Sequence, residues 1–148
     1  MIPDPALRAR FRRAMAGVVP HVNLLGLVAC EAALRHGGPW RAALLGYLRG
    51  NRDRVQAAVA AMPGLRMAPV EATYLAWIDA RGAGLERPAA AFEAAGVGLS
   101  DGRDFGPGDR YQGFVRLNFG CTRAVLDEAL ARMRRAVGGA GGQGGSGR

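Results

Sequence analysis

The spacing of apolar positions divides the chain into a helical first part and a mixed second part. Asp4-Pro5 reads as a helix start, the aspartate capping and the proline in the first turn. That helix is expected to run to about Ala16, ahead of Gly17 and Pro20. Asn23 can cap a second helix, ending at Gly37. Its stretch Leu24-Leu25-Gly26-Leu27-Val28-Ala29 is apolar on every side, the mark of a helix packed all round. Such a helix needs neighbours on several sides, more than a short chain is expected to supply. A third, longer helix is predicted over residues 39–62, stopped by Pro63-Gly64. Trp40, Leu44, Tyr47/Leu48, Val55, Val59 and Met62 recur on one face, and Arg41, Arg49, Arg52 and Gln56 on the other.

The period then shortens. Residues 65–67 are a short strand candidate, and residues 73–79 a stronger one, rich in β-branched and aromatic side chains. A short helix is predicted over residues 87–95, stopping at Gly96, then a brief strand over 97–99. Asp101-Gly102 and Phe105-Gly106-Pro107-Gly108 punctuate a loop. Residues 113–119 form the last predicted strand. Val115, Leu117 and Phe119 share one face of it, and Phe114, Arg116 and Asn118 the other. Thr122 then caps a closing helix with Leu126, Ala129/Leu130, Met133 and Val137 on its buried stripe. The glycine-rich residues 138–148 are expected to be disordered. This order of elements reads as an α/β or α+β layer behind two helices that belong to another packing unit.

Composition narrows the function classes. The chain has 148 residues, 49% apolar and 22% charged, with mean hydropathy +0.01, which suits one soluble domain or part of a larger one. Its net charge of +8 invites a nucleic-acid reading. All 20 basic residues are arginines, however, and there is no lysine. The densest clusters, Arg8/Arg10/Arg12/Arg13 and Arg132/Arg134/Arg135, lie on predicted helices without interleaved aromatics. They read as solvated helix faces, and no nucleic-acid partner is expected. Cys30 and Cys121 form neither a disulfide framework nor a zinc site, and with only His21 and His36 no metal site is expected. The N-terminus has no signal-peptide pattern, and the apolar run over residues 22–34 contains Glu31 and is too short to span a bilayer. The expectation is a cytoplasmic protein without a membrane partner.

No complete active site is visible in the residues. Gly96 and Gly98 do not extend to a dinucleotide fingerprint, and a phosphate-binding P-loop lacks its lysine. Ser100 is not in a nucleophile elbow. Cys30 reads as a small core residue. Glu71 and Asp79 flank a strand without defining an acid pair. One polar feature stands out: Arg116, in the middle of an apolar strand, with Asn118 two residues on. A guanidinium is a planar fork suited to a carboxylate. By residue type alone, the simpler reading is an arginine on a solvated sheet face.

A series of strings changes that weighting. They are Ile2-Pro3-Asp4, Asn23-Leu24-Leu25-Gly26-Leu27, Glu31-Ala32-Ala33, His36-Gly37, Trp40 and the run from Tyr47 through Asn51-Arg52-Asp53. The run from Glu71 through Thr73-Tyr74 to Asp79 follows, then Gly96-Val97, Phe105-Gly106 and Phe114-Val115-Arg116-Leu117-Asn118-Phe119. In this order they resemble the C-terminal part of the MalY/PatB group of pyridoxal-phosphate enzymes, over residues 2–137. These are class I/II aminotransferase-fold (fold type I) proteins, often cystathionine β-lyases.

The resemblance implies that residues 1–37 are the terminal helices of a large cofactor-binding domain. Residues 38–137 would be the small C-terminal α/β domain. It implies that Arg116 holds the α-carboxylate of an amino-acid substrate, cystathionine or another cysteine S-conjugate, with Asn118 in support. It implies pyridoxal 5'-phosphate as cofactor and a homodimer for the full-length enzyme. The family's Schiff-base lysine lies upstream of the Ile-Pro-Asp string, so the catalytic lysine is absent from this chain, which alone is expected to be inactive. A transaminase of the same fold and a non-catalytic association domain are the alternatives. The short helix over residues 87–95, Gly98 and Asp101 depart from the family pattern and blur the loop they belong to.

Overall fold

The computed structural model describes residues 1–140, which form two compact units dividing between Ala42 and Ala43. In the first unit, helix α1 spans Pro5–Met15 and α2 spans Leu24–His36. Both are capped as their sequences require: the Leu7 N–H donates to Asp4 Oδ1 and the Gly26 N–H to Asn23 Oδ1, each at 2.7 Å. No residue of either helix is buried. Leu24, Leu25, Leu27, Val28 and Leu34 of the all-round apolar helix are exposed. Cys30 is exposed with them, against the expectation of a core position, because no side chain packs α2 into a core among the described residues.

Helix α3, Gly38–Ala60, starts in the first unit and ends in the second. The predicted apolar stripe is buried only in its later half, at Val55 and Val59 with Ala58 and the polar Asn51, while Trp40 is exposed. The second unit continues through β1 (Arg66–Met67), β2 (Leu75–Asp79), α4 (Pro88–Ala94) and β3 (Ser100–Asp101). A single 3-10 turn (Gly102–Phe105), β4 (Phe114–Asn118) and α5 (Arg123–Ala140) complete it. The strands form one antiparallel sheet in the order β1-β2-β4-β3.

Alternation along the two central strands sorts the sheet into two faces. Ala76 and Ile78 of β2 and Val115 and Leu117 of β4 point to the core, joined by Phe119. They pack with Val55, Val59 and Met62, with Phe92 of α4, and with Leu126, Leu130, Met133 and Val137 of α5. The opposite face carries Trp77, Phe114, Arg116 and Asn118.

Four elements differ from the sequence expectation. The strand expected over residues 73–79 begins at Leu75, because Thr73 has φ 68°, a left-handed conformation costly for a β-branched residue and incompatible with a ladder. The strand expected over residues 97–99 forms instead at Ser100–Asp101. Val97 is occupied in closing α4: its N–H donates to Phe92 O at 2.8 Å and the Gly96 N–H to Glu93 O at 2.8 Å, with Gly96 at φ 81°. That is a Schellman ending, which consumes the donor a strand would need. Part of the expected loop, Gly102–Phe105, is the 3-10 turn, whose Arg103 N–H donates to Asp101 Oδ1 at 3.0 Å. Gly138, Gly139 and Ala140, expected in a structureless tail, continue α5, and the rest of that stretch lies outside the described residues. Among the described residues, no helix is long and apolar enough to cross a membrane.

Phe92 is fully buried beneath the sheet. Phe92→Ala is expected to cost about 3–5 kcal/mol in urea unfolding. Val125→Ala, on the exposed side of α5, should stay within about 0.5 kcal/mol. Equal unfolding midpoints for the two variants would mean that the core lies elsewhere.

Candidate functional site

The site is built on β4, an inner strand of the sheet. Arg116 stands in register between Trp77 of β2 and Ser100 of β3. Its Nη2 donates to Ser100 Oγ at 3.3 Å, and its Cζ lies 4.5 Å from the centroid of the Phe105 ring. A guanidinium over an aromatic face is attracted by the negative charge of the ring's π cloud. Phe105 is in turn set by Trp77, which meets it edge-on at 5.5 Å. Trp77 also meets Tyr111 edge-on at 5.5 Å and stacks on Phe114 at 5.7 Å. The half-buried Arg116 head is therefore braced from two sides.

Among the described residues the head has no counter-ion. Its neighbours on the loops have theirs: Arg81 Nη2 lies 2.7 Å from Asp79 Oδ2, and Arg103 Nη2 lies 2.6 Å from Asp101 Oδ2. These guanidinium hydrogen bonds hold both carboxyls below the ordinary aspartate range, with help from the Arg81 and Arg103 backbone N–H groups. Among the described residues no carboxylate pairs with Arg116. A guanidinium has five N–H donors, and Ser100, a neutral partner, takes one of them. The remaining donors can donate to the two oxygens of a planar anion in bidentate fashion.

Asn118 shares the Arg116 face of β4 but does not bond to it. Its Oδ1 accepts the Gly120 N–H at 2.8 Å, which closes the turn leaving the strand. Among the described residues its Nδ2 finds no acceptor. Ser100 and Phe105, which touch Arg116, are neighbours that the sequence reading did not connect with it. The displaced β3 explains why: pairing of Ser100 with Arg116 depends on where α4 ends.

One further polar group was missed. Asn51 is fully buried, and its Nδ2 donates to Phe119 O at 2.9 Å and Cys121 O at 3.0 Å. Among the described residues its Oδ1 has no partner, a cost of about 1–3 kcal/mol for a buried acceptor. One helical turn earlier, the Tyr47 hydroxyl accepts the Arg123 N–H at 2.9 Å, and the Arg123 Cζ lies 4.8 Å from the Tyr47 ring centroid. The signal was available in the spacing: Asn51 lies four residues before Val55, on the buried stripe.

No protein-family model matches the chain. Over 146 residues it is 34% identical to cystathionine beta-lyase PatB of Bacillus subtilis (strain 168), covering 93% of this chain and 36% of that protein. The crystal structure of OvoB superposes with a TM-score of 0.83 at 52% identity, over 93% of this chain and 35% of that one. Cystalysin from Treponema denticola, whose structure contains pyridoxal 5'-phosphate, gives 0.80 at 28% identity, over 94% and 36%. The chain thus spans about a third of the length of the curated relatives it matches.

A double-mutant cycle tests the seating of Arg116. Arg116→Gln and Phe105→Leu, measured by urea unfolding, should couple by about 0.5–1 kcal/mol. Additive effects would show that the guanidinium does not rest on the ring. The Asp101 carboxyl gives a pH signature. Its folded value is depressed below 3.8 by Arg103, so its contribution is present above the unfolded value and lost as pH falls through the folded one. The stability difference between the parent and Asp101→Asn should shrink on acidification below about pH 4, and it should be small throughout, the pair being exposed. A difference that grew on acidification would reverse the assignment.

Proposed function

Because the chain belongs to the MalY/PatB type of aminotransferase-fold protein, we propose that it is the C-terminal part of a pyridoxal-phosphate-dependent C–S β-lyase and that it carries the substrate carboxylate clamp. The observation that supports this is the half-buried Arg116, oriented by Ser100 and Phe105 and without a carboxylate partner among the described residues. Its substrate is an amino acid of the cystathionine or cysteine S-conjugate class, held by the α-carboxylate. Two parallel N–H···O bonds fix the position and the plane of that carboxylate, and with it the Cα whose bonds react. Asn118 supports the clamp from the same strand face, with its Nδ2 as donor.

Residues 1–37 are read as the last helices of the large domain and residues 38–137 as the small domain. The apolar side chains that α2 leaves exposed support this reading, since they are what a helix of a larger core would present. The cofactor's covalent anchor does not fit the residues present. Pyridoxal phosphate in this fold needs a lysine, and the 148 residues contain none. No step at Cα is therefore assigned to this chain, whose share of the work is binding and orientation. Alone, the chain does not turn over.

Arg116→Lys in the longer, cofactor-loaded enzyme that carries this segment is expected to raise KM about 10- to 100-fold, the worth of a charged hydrogen bond, with a smaller change in kcat. An unchanged kcat/KM would remove Arg116 from the substrate. Pyruvate release from cystathionine by the 148-residue chain alone would overturn the assignment of the chain to binding only.

A further inference from the structure

The connection from β4 to α5 lies directly behind Arg116. Phe119 is three residues beyond it, and residues 119–122 lead into α5 outside regular secondary structure. Five hydrogen bonds fix the course of this connection. The Phe119 N–H donates to Tyr74 O at 2.9 Å and the Gly120 N–H to Asn118 Oδ1 at 2.8 Å. The carbonyls of Phe119 and Cys121 both accept from Asn51 Nδ2, and the Arg123 N–H donates to the Tyr47 hydroxyl. Three of these five bonds come from two side chains of α3, four residues apart and so on one helix face.

We infer that Asn51, together with Tyr47, is a positioning residue that holds the exit of β4 and thereby sets Arg116. The reasoning starts from the amide itself. One planar NH2 group has two protons at a fixed angle, so a single amide that satisfies two carbonyls flanking Gly120 fixes that turn as a rigid unit. An apolar residue here would leave the Phe119 and Cys121 carbonyls without this donor, whereas Asn51 serves both and leaves only its own Oδ1 without a donor among the described residues. The donor side of the amide is what the site uses. The hold adds to the five-residue ladder with β2, and it matters because the other side is less fixed: β3 is two residues long, and the bond to Ser100 is long at 3.3 Å. A shift of β4 along its own axis would carry the guanidinium off Phe105 and Ser100 together.

The consequence for catalysis rests on Arg116 being the carboxylate clamp, but the positioning itself can be read without any ligand. In the full 148-residue chain, the Arg116 Nε–Hε resonance is shifted by the Phe105 ring and can be assigned by its loss in Arg116→Lys. Asn51→Leu keeps the branched heavy-atom skeleton at a somewhat larger volume and removes the donors. It is expected to move that resonance toward the position of an unstructured arginine and to speed amide exchange of Gly120 and Arg123 by about tenfold or more. Tyr47→Phe removes only the hydroxyl, and should move the resonance the same way by less. Val137→Ala, at the far end of α5, lowers stability and should leave the resonance in place.

An Arg116 resonance unmoved by Asn51→Leu in a folded spectrum overturns the inference, as does an equal movement in Val137→Ala. Should Asn51→Leu not fold, an unmoved resonance in Tyr47→Phe overturns it. In the longer enzyme loaded with cofactor, Asn51→Leu is expected to raise KM roughly tenfold with little change in kcat. If Arg116→Lys leaves KM unchanged while the resonance still moves in Asn51→Leu, the carboxylate reading has failed and the positioning stands.

Discussion

The alternation of side chains along β4 organises the core and the site at once. Val115, Leu117 and Phe119 are buried against α3, α4 and α5, which forces Phe114, Arg116 and Asn118 to the other side of the sheet. A slip of one residue would exchange the two sets, placing a guanidinium in the apolar layer and three large hydrophobic side chains outside it. The penalty for burying an unpaired charge is severe, so the register of β4 is specified from both faces. Because β4 lies inside the sheet, Trp77 and Ser100 are carried to either side of Arg116 by the same pairing. The neighbours of the arginine are consequences of the fold.

Electrostatics then separates Arg116 from the other arginines of its face. Arg81 and Arg103 are chelated by aspartates two residues away, in local pairs that form wherever the backbone turns suitably. These are exposed, contribute little to stability and leave few donors for a ligand. Arg116 is half-buried, rests on an aromatic ring and has a neutral hydroxyl as its side-chain partner. Such a group keeps its charge and most of its donors while its motion is restricted. That combination favours a small anion: the attraction is undiluted by an internal carboxylate, and less conformational entropy is lost on binding. The high arginine content of the chain would hide this residue in any count of charges. Geometry alone distinguishes it.

Much of the architecture was legible because it rests on local rules. Asp4 and Asn23 cap where the spacing placed them, and the inward set of β4 follows from period two. Arg116 and Asn118 were legible as outward residues of that strand, although the family resemblance was needed to lift Arg116 above a solvated arginine. The failures arise where an element depends on a hydrogen bond, a backbone conformation or a packing neighbour that spacing alone does not reveal. Val97 reads as a strand residue, but its N–H is used to close α4. Thr73 reads as a strand residue, but its φ of 68° delays β2 to Leu75. Cys30 reads as core, but every residue of α2 is exposed, and no element among the described residues packs over it. Asn51, in a run with Arg52 and Asp53, is assigned to neither helix face, although its place four residues before Val55 marks it as a polar side chain inside the core.

On the proposed reading, the division of labour between this segment and the remainder of the enzyme follows from what each chemistry demands. Holding a carboxylate requires a rigid cationic fork, which a short antiparallel sheet with an aromatic cluster on one face can provide. Breaking a bond at Cα requires a lysine whose proton affinity is tuned by its surroundings, and the 20 arginines of this chain cannot replace it, since arginine does not deprotonate in proteins. The clamp serves equally any amino acid presented by its α-carboxylate, because that end of the molecule is the same in all of them. Discrimination by this segment therefore acts on the class of substrate and on the angle at which Cα is offered. The choice of bond follows from that angle together with the proton-handling groups on the opposite side of the substrate. A small displacement of Arg116 would alter both affinity and angle, which is why the fixed exit of β4 matters more than its size in the fold would imply.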